Sequence, residues 1–562
     1  MDAATGRIAA LGNGTAPVGA SGDDATDLMG AVVVPGMIDA HLHVVMGGLS
    51  LNALNLGPAR SLRDLARRLE VYRESRPASE SEWLVGFGWD EVRWGGGLPG
   101  RDLLDSAVHT SPVVLYRADG HLAACNSRAL ELAGITAETV DPPGGRIVRD
   151  STGRPTGILK DGAIQLVRRL IARPGVQERR AAVLKASVYA LERGVTFMVD
   201  MGEPALNIED TAAWDDLMEV FIPMADAGEL PIRVHTHVPL ALWRRLDFLV
   251  DERGREHGGG RLSWGSLKEF ADGSLGSHTA LMHEPYADKA DTSGLRNADP
   301  DVMRKAAAEA HSRGLQVSVH AIGDRAVDEV QEMFRAVAAA SPCKHECRHR
   351  IEHVQHIAGT STAEALASTG TFAVVNPLHL LEDAAMLKER LGPVRSGAGR
   401  SFALATLLKA GVRVAFGSDW PFVGHVDPLG TIRAAAERIP SRGSTPFVPE
   451  ERVSREAAMK ATLLGGALAG LREHDLGRLA RGFRGDFAVL DRSPLENWSG
   501  DPRVLATYVD GLRAFPRAAP PATLARVTLA RATLVRVNLV RVTLARVTLG
   551  RVRVTRPATR PL

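Results

Sequence analysis

The chain has 562 residues, 45% hydrophobic and 24% charged, with 56 glycines and 31 prolines, a soluble composition and more length than one ordinary domain needs. Its formal net charge of +2 hides an asymmetry: residues 517–562 hold ten arginines and no Lys, Asp or Glu, so the rest of the chain carries −8 and gives a nucleic-acid partner no footing. No run approaches ~18 continuous apolar residues, the first residues lack a basic-then-apolar leader, and three cysteines (Cys125, Cys343, Cys347) are too few for a disulfide framework, which excludes a membrane span and makes the cytoplasm the expected location.

Residues 1–34 offer one strand, over 6–12, followed by a Gly/Ser/Asp-rich stretch; they read as the N-terminal part of a β-sandwich, cut short. Val32–His43 then reads as a short β-branched strand, a Pro35-Gly36 break and a second apolar run ending in His41-Leu42-His43. Side chains at i and i+2 of a strand share a face, so both imidazoles aim at one point. That is half of a transition-metal site. Residues 58–184 change character. They hold an amphipathic helix over 61–75 (Leu62, Leu65, Leu69, Val71) and then a Gly-, Pro- and Asp-rich run containing Asp119-Gly120-His121, the pattern of an inserted α/β subdomain.

From 178 a helix-then-strand rhythm begins. Gly194 closes a helix over 178–193, and strands follow at 195–200, 231–237, 266–270, 315–320, 350–354, 371–375 and 412–419. With the opening strand these make eight, the count of a closed (β/α)8 barrel of the TIM type, assigned to residues 35–57 and 185–445. A helix over 452–470 and short strands within 477–490 and 504–512 place the rest of a small flanking β-sandwich in 446–516. The tail, 517–562, repeats Thr-Leu-Ala-Arg-Val with small variations. A period of five matches neither a strand face nor a helix face, so a poorly ordered appendage is expected there.

Barrel enzymes place their chemistry at the C-terminal ends of the strands. Here those ends carry His41 and His43 (strand one), Lys268 (four), His320 (five), His353 (six) and Asp419 (eight). Metal-capable residues delivered to one mouth point to a metal-dependent site. Two other groupings are set aside. His235 and His237 form a second His-x-His at the end of strand three. Cys343-Lys344-His345-Glu346-Cys347-Arg348-His349 resembles a zinc knuckle by residue type, but its one-residue gaps are tighter than structural zinc spacing.

The pattern resembles the amidohydrolase superfamily, and within it the amidohydrolase 3 branch that includes N-substituted formamide deformylase-like proteins. The matching pieces are Pro35–His43, Asp272–Leu281, Pro285–Asp288, His320–Ala326, Ile351–His353, Gly417–Pro421, and Gly477–Leu479 through Gly485–Phe487. The resemblance implies a metallo-hydrolase barrel with a large insertion after the first strand. His41 and His43 would hold one divalent metal, foremost zinc, while His320 and His353 would hold a second or complete the first. Lys268 would bridge as a carbamate; otherwise it is an interior lysine paired with Asp272 or Glu269. Asp419 would ligate weakly and shuttle the proton. His121 and His379 would contact the substrate, and His278, Arg325 and Trp420 would bind it by shaping the pocket or would orient the ligands, with Glu352 and Asp324 holding histidine N–H groups. The implied reaction is hydrolysis of a C–N bond, of amide or N-formyl/N-acyl type, in a small molecule by metal-activated hydroxide. A lactone or ester hydrolase and a non-catalytic regulatory barrel stand as alternatives. No nucleic acid or membrane is expected as partner, and a homodimer is left open.

Overall fold

In the computed structural model, the two halves of Val32–His43 on either side of the Pro35-Gly36 break are strands of two different sheets. The chain is described except for residues 3, 13–24, 77–81, 205–210, 342, 344–346, 423, 442, 497–499 and, within 517–562, all but four short strands. Val32–Pro35 pairs antiparallel with Phe487–Leu490, whereas Met37–Leu42 pairs in parallel with Val195–Asp200. Pro35 lacks the N–H that would continue the ladder. Gly36 is required by close approach: a Cβ there would lie 2.0 Å from Thr196 Oγ1.

The eight barrel strands are β1 (Met37–Leu42), β2 (Val195–Asp200), β3 (Arg233–Pro239), β4 (Leu262–Phe270), β5 (Gln316–Ala321), β6 (Arg350–His353), β7 (Phe372–Val375) and β8 (Arg413–Phe416). They pair in sequence order from β1 to β8, all in parallel. The β8–β1 seam is bridged by Asp419 N–H donating to the His41 carbonyl (2.7 Å) and Ser418 N–H donating to Asp39 Oδ1 (2.9 Å). The expected (β/α)8 barrel is therefore the fold. Helices such as Val176–Leu191, Pro300–Ser312 and Asp324–Ala340 cover its outer face with buried Ala, Val and Leu.

Between β1 and the helix Val176–Leu191 lies the insertion, a six-stranded sheet running from Leu54–Asn55 to Pro155–Asp161 with its own apolar core. Within it, the Arg117 guanidinium pairs with Asp90, Glu91 and Asp119. Asp119 in turn accepts hydrogen bonds from the hydroxyls of Ser274 and Ser277 in the loop after β4.

On the opposite side, Val32–Pro35, Phe487–Leu490, Val504–Val509 and Leu512–Phe515 form a sheet whose faces alternate. Val33, Phe487, Val489 and Tyr508 pack into a local core with Ile8 and Leu479, while Val32, Val34, Ala488 and Leu490 join the barrel core. Of the Arg-rich tail, four short strands are described. Strands at Arg526–Leu529, Thr533–Val537, Val542–Ala545 and Arg551–Thr555 add to the edges of this sheet, because an open edge offers ladder groups to any extended segment.

One departure concerns the cysteines. Where no disulfide framework was expected, Cys343 and Cys347 are joined as a single disulfide, their Cα atoms 6.2 Å apart and within bridging reach in one loop, while Cys125 is free and buried. Among the described residues no helix is long and apolar enough to cross a membrane.

Barrel and sandwich are pinned by Arg233 on β3, fully buried, which donates to both oxygens of Asp486 (2.7 and 3.0 Å) and also pairs with Asp510. Removing the cation would leave the buried Asp486 carboxylate without its arginine partner, while Asp510 keeps Arg261 and Arg484. Arg233→Met is expected to cost about 3–5 kcal/mol of stability, read as a lower denaturation midpoint. An unchanged midpoint would show that the pair does not join the two layers.

Candidate metal centre

β1, β6 and the turn after β8 bring three donors together: atoms of His41, His353 and Asp419 lie within 4.8 Å of one another. Asp419 Oδ1 is 3.1 Å from His41 Nε2 and 3.4 Å from His43 Nε2. His379, in the first turn of the helix after β7, brings Nε2 to 3.6 Å from Asp419 Oδ2. That nitrogen is buried without a hydrogen-bond partner.

Each inward imidazole is held from behind. His41 Nδ1 is 2.6 Å from Glu352 Oε2, His43 Nδ1 is 2.5 Å from the Gly202 carbonyl, and His353 Nδ1 is 2.8 Å from Asn376 Oδ1. This back-anchoring fixes Nε2 toward the centre, as metal-ligating histidines require. Glu352 is itself clamped by Arg350 through two hydrogen bonds of 2.8 and 2.9 Å, and Arg350 also donates to the Ala40 carbonyl. The donor set, its anchors and the unpartnered nitrogen on His379 fit a divalent metal at this point.

Charge follows the same layout. Burial drives the His353 imidazole well below the ordinary histidine range and takes His379 down to about 4, so both are neutral ligand-type rings. Burial pushes the Asp419 carboxyl upward, but the charge on His41 and the hydrogen bonds from His41 and His43 outweigh it and hold it well below the usual carboxylate range. Two of these residues adopt left-handed backbone: φ is 75° at His353 and 59° at Asp419. Such a conformation in non-glycine residues costs energy and persists where the surroundings over-determine it. At Asp419 the bond from its N–H to the His41 carbonyl does so.

The remaining sequence-selected residues divide. His121 reaches over the mouth from the insertion, its ring centre 5.2 Å from that of His320 and its Nδ1 2.5 Å from Asp161 Oδ1. His320 lies beside His353 at 4.5 Å between ring centres, but its Nε2 is 3.0 Å from the Gly273 carbonyl rather than in the three-donor cluster. Lys268 faces inward on β4 with its Nζ 3.8 Å above the Phe270 ring and 3.4 Å from the Glu269 carbonyl. Burial brings its pKa down to about 8.

A cleft of about 180 Å³ above the centre is lined by His121, His320, His379 and Asp419 with Arg117, Asp119, Gln355 and Asp383. Lys268 opens instead on a neighbouring cavity of about 500 Å³ with Glu269, Phe270 and Asn297.

Three residues expected to shape the pocket or orient the ligands do not line the cleft. Arg325 sits on an outer helix paired with Glu329. His278 is engaged by Asp288 and Arg390 in the wall behind Gly276. Trp420 is buried against Tyr189 and Gly47, and its carbonyl accepts from His43 N–H, so it shapes the strand-one turn. Asp324 does not hold a histidine ring; it caps the backbone of His283 and Arg325. The rival pair is spent on the barrel floor. His235 bonds Ser263 and Ser266, and His237 bonds Ser318 and the Asp200 carbonyl, so both nitrogens of each ring are occupied. Sequence reasoning missed Asp161 and Gly202. Asp161 is remote from every motif and Gly202 acts through its carbonyl, so neither leaves a signal in residue type.

This geometry agrees with what comparison finds. Residues 24–514 match the Amidohydrolase family. The chain belongs to the amidohydrolase family. It is 37% identical over 91% of its length to the Arabidopsis thaliana protein LONG AFTER FAR-RED 3, covering 87% of that protein. It is 27% identical over 91% of its length to the N-substituted formamide deformylase of Arthrobacter pascens, covering 94% of it. An uncharacterized metal-dependent hydrolase from Pyrococcus horikoshii superposes with a TM-score of 0.64 at 27% identity, over 84% of this chain and 88% of that one.

Back-anchors of this kind are worth roughly 10–100-fold in metal affinity. Asn376→Ala frees the His353 ring while leaving every ligand in place, and is expected to weaken metal retention against a chelator by about that factor. Retention equal to wild type would remove His353 from the ligand set.

Proposed function

We propose that this amidohydrolase is a metal-dependent hydrolase that cleaves a C–N bond, of amide or N-formyl type, in a small molecule. The observation that carries the reading is the Asp419 carboxylate facing His41, His43 and His379 at the floor of a cleft roofed by His121. The bond type is supported by the likeness to the formamide deformylase, and the small-substrate class by the cleft volume of about 180 Å³.

His41, His43, His353 and Asp419 would hold the ion, with His320 at the edge of the set, and the imidazole and carboxylate donors favour zinc. When bound, such an ion lowers the pKa of a water toward ~7 and polarises the substrate carbonyl. The chain's own residues do the rest. Asp419, ionised and aimed at the centre, takes a proton from the attacking water and passes it to the departing amine nitrogen. His379 presents a neutral, unpartnered Nε2 to the group being cleaved. His121, oriented by Asp161, contacts the substrate from above and, with Arg117 and Asp119, limits what enters. Lys268 carries an amine that burial leaves substantially neutral near pH 8. That is the form whose nitrogen adds to carbon dioxide, loses a proton and becomes a carbamate.

Asp419→Asn keeps the shape and removes the base. It is expected to retain the fold and lose about 10²–10⁴-fold in kcat on an N-formyl or N-acyl amide that the wild type hydrolyses. A near-wild-type rate would assign the proton transfer to another group.

Lys268 sets a pH dependence whose sign follows from its lowered pKa. The neutral amine fraction rises about tenfold per pH unit up to about 8 and levels off above it. At fixed dissolved carbon dioxide, carbon-13 label taken up as carbamate should rise over the same window and vanish in Lys268→Met. Uptake that persists in that variant would place the carbamate elsewhere.

A further inference from the structure

At the end of the barrel opposite the mouth, the helix Pro300–Ser312 and the loop before β6 bring together His311, Cys343, Cys347 and His349. His311 lies in the last turn of its helix and His349 directly precedes β6. Atoms of His311, Cys347 and His349 lie within 4.8 Å of one another, and all three residues are buried. Cys343 is part-exposed and already bonded to Cys347, so its sulfur is held beside the same point.

The geometry points to a second, structural metal site of zinc type, formed by the thiolates of Cys343 and Cys347 with the imidazoles of His311 and His349 once the disulfide is reduced. The inference is independent of the reading of the mouth. Two cysteines separated by three residues match structural zinc spacing, and two thiolates with two imidazoles are a common tetrahedral set. The tight Cys347-x-His349 gap that spoils a knuckle is relieved because the fourth ligand comes from another element.

Tautomers set the cost. His311 Nε2 is 2.8 Å from the Ser341 carbonyl and donates to it, which leaves the Nδ1 lone pair facing inward. His349 Nδ1 accepts from Val317 N–H at 3.1 Å, so its proton sits on Nε2, 2.8 Å from His311 Nδ1. For His349 to ligate, that proton must move to Nδ1 and the Val317 amide must be released. The two nitrogens must also part to the ~3.3 Å edge of a zinc tetrahedron built on ~2.0 Å bonds. One backbone hydrogen bond is a small loss beside the affinity of structural zinc sites, so the metal-bound arrangement prevails. The redox step balances with a dithiol reductant: it gives two electrons and two protons to the disulfide and becomes a cyclic disulfide itself. Zinc then displaces the two thiol protons.

The test uses the full chain, reduced with a dithiol, freed of metal and titrated with cobalt(II). None of the residues at the mouth is a cysteine, so a thiolate-to-cobalt charge-transfer band in the near ultraviolet reads this site alone. The band is expected in the wild type, with the metal content of the Cys343→Ser/Cys347→Ser variant lower by about one equivalent. A reduced wild type that binds cobalt without the band overturns the proposal. Should the double variant fail to fold, alkylation of the wild type decides. Zinc is expected to protect Cys343 and Cys347 and a chelator to expose them, and equal alkylation with and without zinc overturns the site.

Discussion

Much of the site hangs from one carboxylate that takes no part in the chemistry. Glu352 sits fully buried on β6, clamped by the Arg350 guanidinium two residues earlier and pressed against His41 Nδ1 at 2.6 Å. Burial raises the pKa of a carboxyl, but Arg350 and His41 more than reverse that here and keep Glu352 ionised. An ionised oxygen behind His41 fixes both the direction and the basicity of its Nε2. Since Arg350 also holds the carbonyl of Ala40, the same contact fastens β6 to β1 across the barrel, so the distance between His353 and His41 is set by a salt bridge beneath the mouth.

That rigidity lets the strand ends carry strain. His353 and Asp419 stand in left-handed backbone at the points where their strands end, and the β8–β1 seam is closed by bonds to the main chain of Asp419 and Ser418 rather than by an even ladder. The barrel below is filled with satisfied polar groups. His235, His237, Ser263, Ser266 and Ser318 bond one another, leaving the inner surface dry and fixed under a centre whose groups remain available.

Part of the mouth was legible because strand ends in a barrel are positions a linear reading can count: the helix-then-strand rhythm located all eight strands, and with them the His41, His353 and Asp419 that the structure brings together, whereas Lys268 opens on a neighbouring cavity. Contacts between elements distant in sequence were not legible. Arg325 lies two residues beyond the His320–Gly323 turn and faces outward because a helix has begun at Asp324. Trp420 follows Asp419 yet turns inward to pack on Tyr189, a residue of a helix more than two hundred positions earlier. The Pro35-Gly36 break in Val32–His43 is visible in the sequence, but that its two halves serve different sheets shows only in their pairing with Phe487–Leu490 and Val195–Asp200. His311 gave no hint of its cysteine neighbours, since a single histidine at a helix end carries no spacing to read.

The insertion has a consequence for how this molecule could change over time. Floor and roof of the cleft are separable pieces of chain: the floor is spread over β1, β6 and the turn after β8, while the roof comes from one continuous segment that leaves after β1 and returns before β2. The roof has its own core and meets the loops around the floor through Asp119 on Ser274 and Ser277, Lys160 on the Ser277 carbonyl and Arg93 on Glu382. Substitutions or length changes in it would alter which molecules are admitted without moving an anchored imidazole. The fold thus divides selectivity from reactivity, and new substrate preferences can be tried against an unaltered reaction centre.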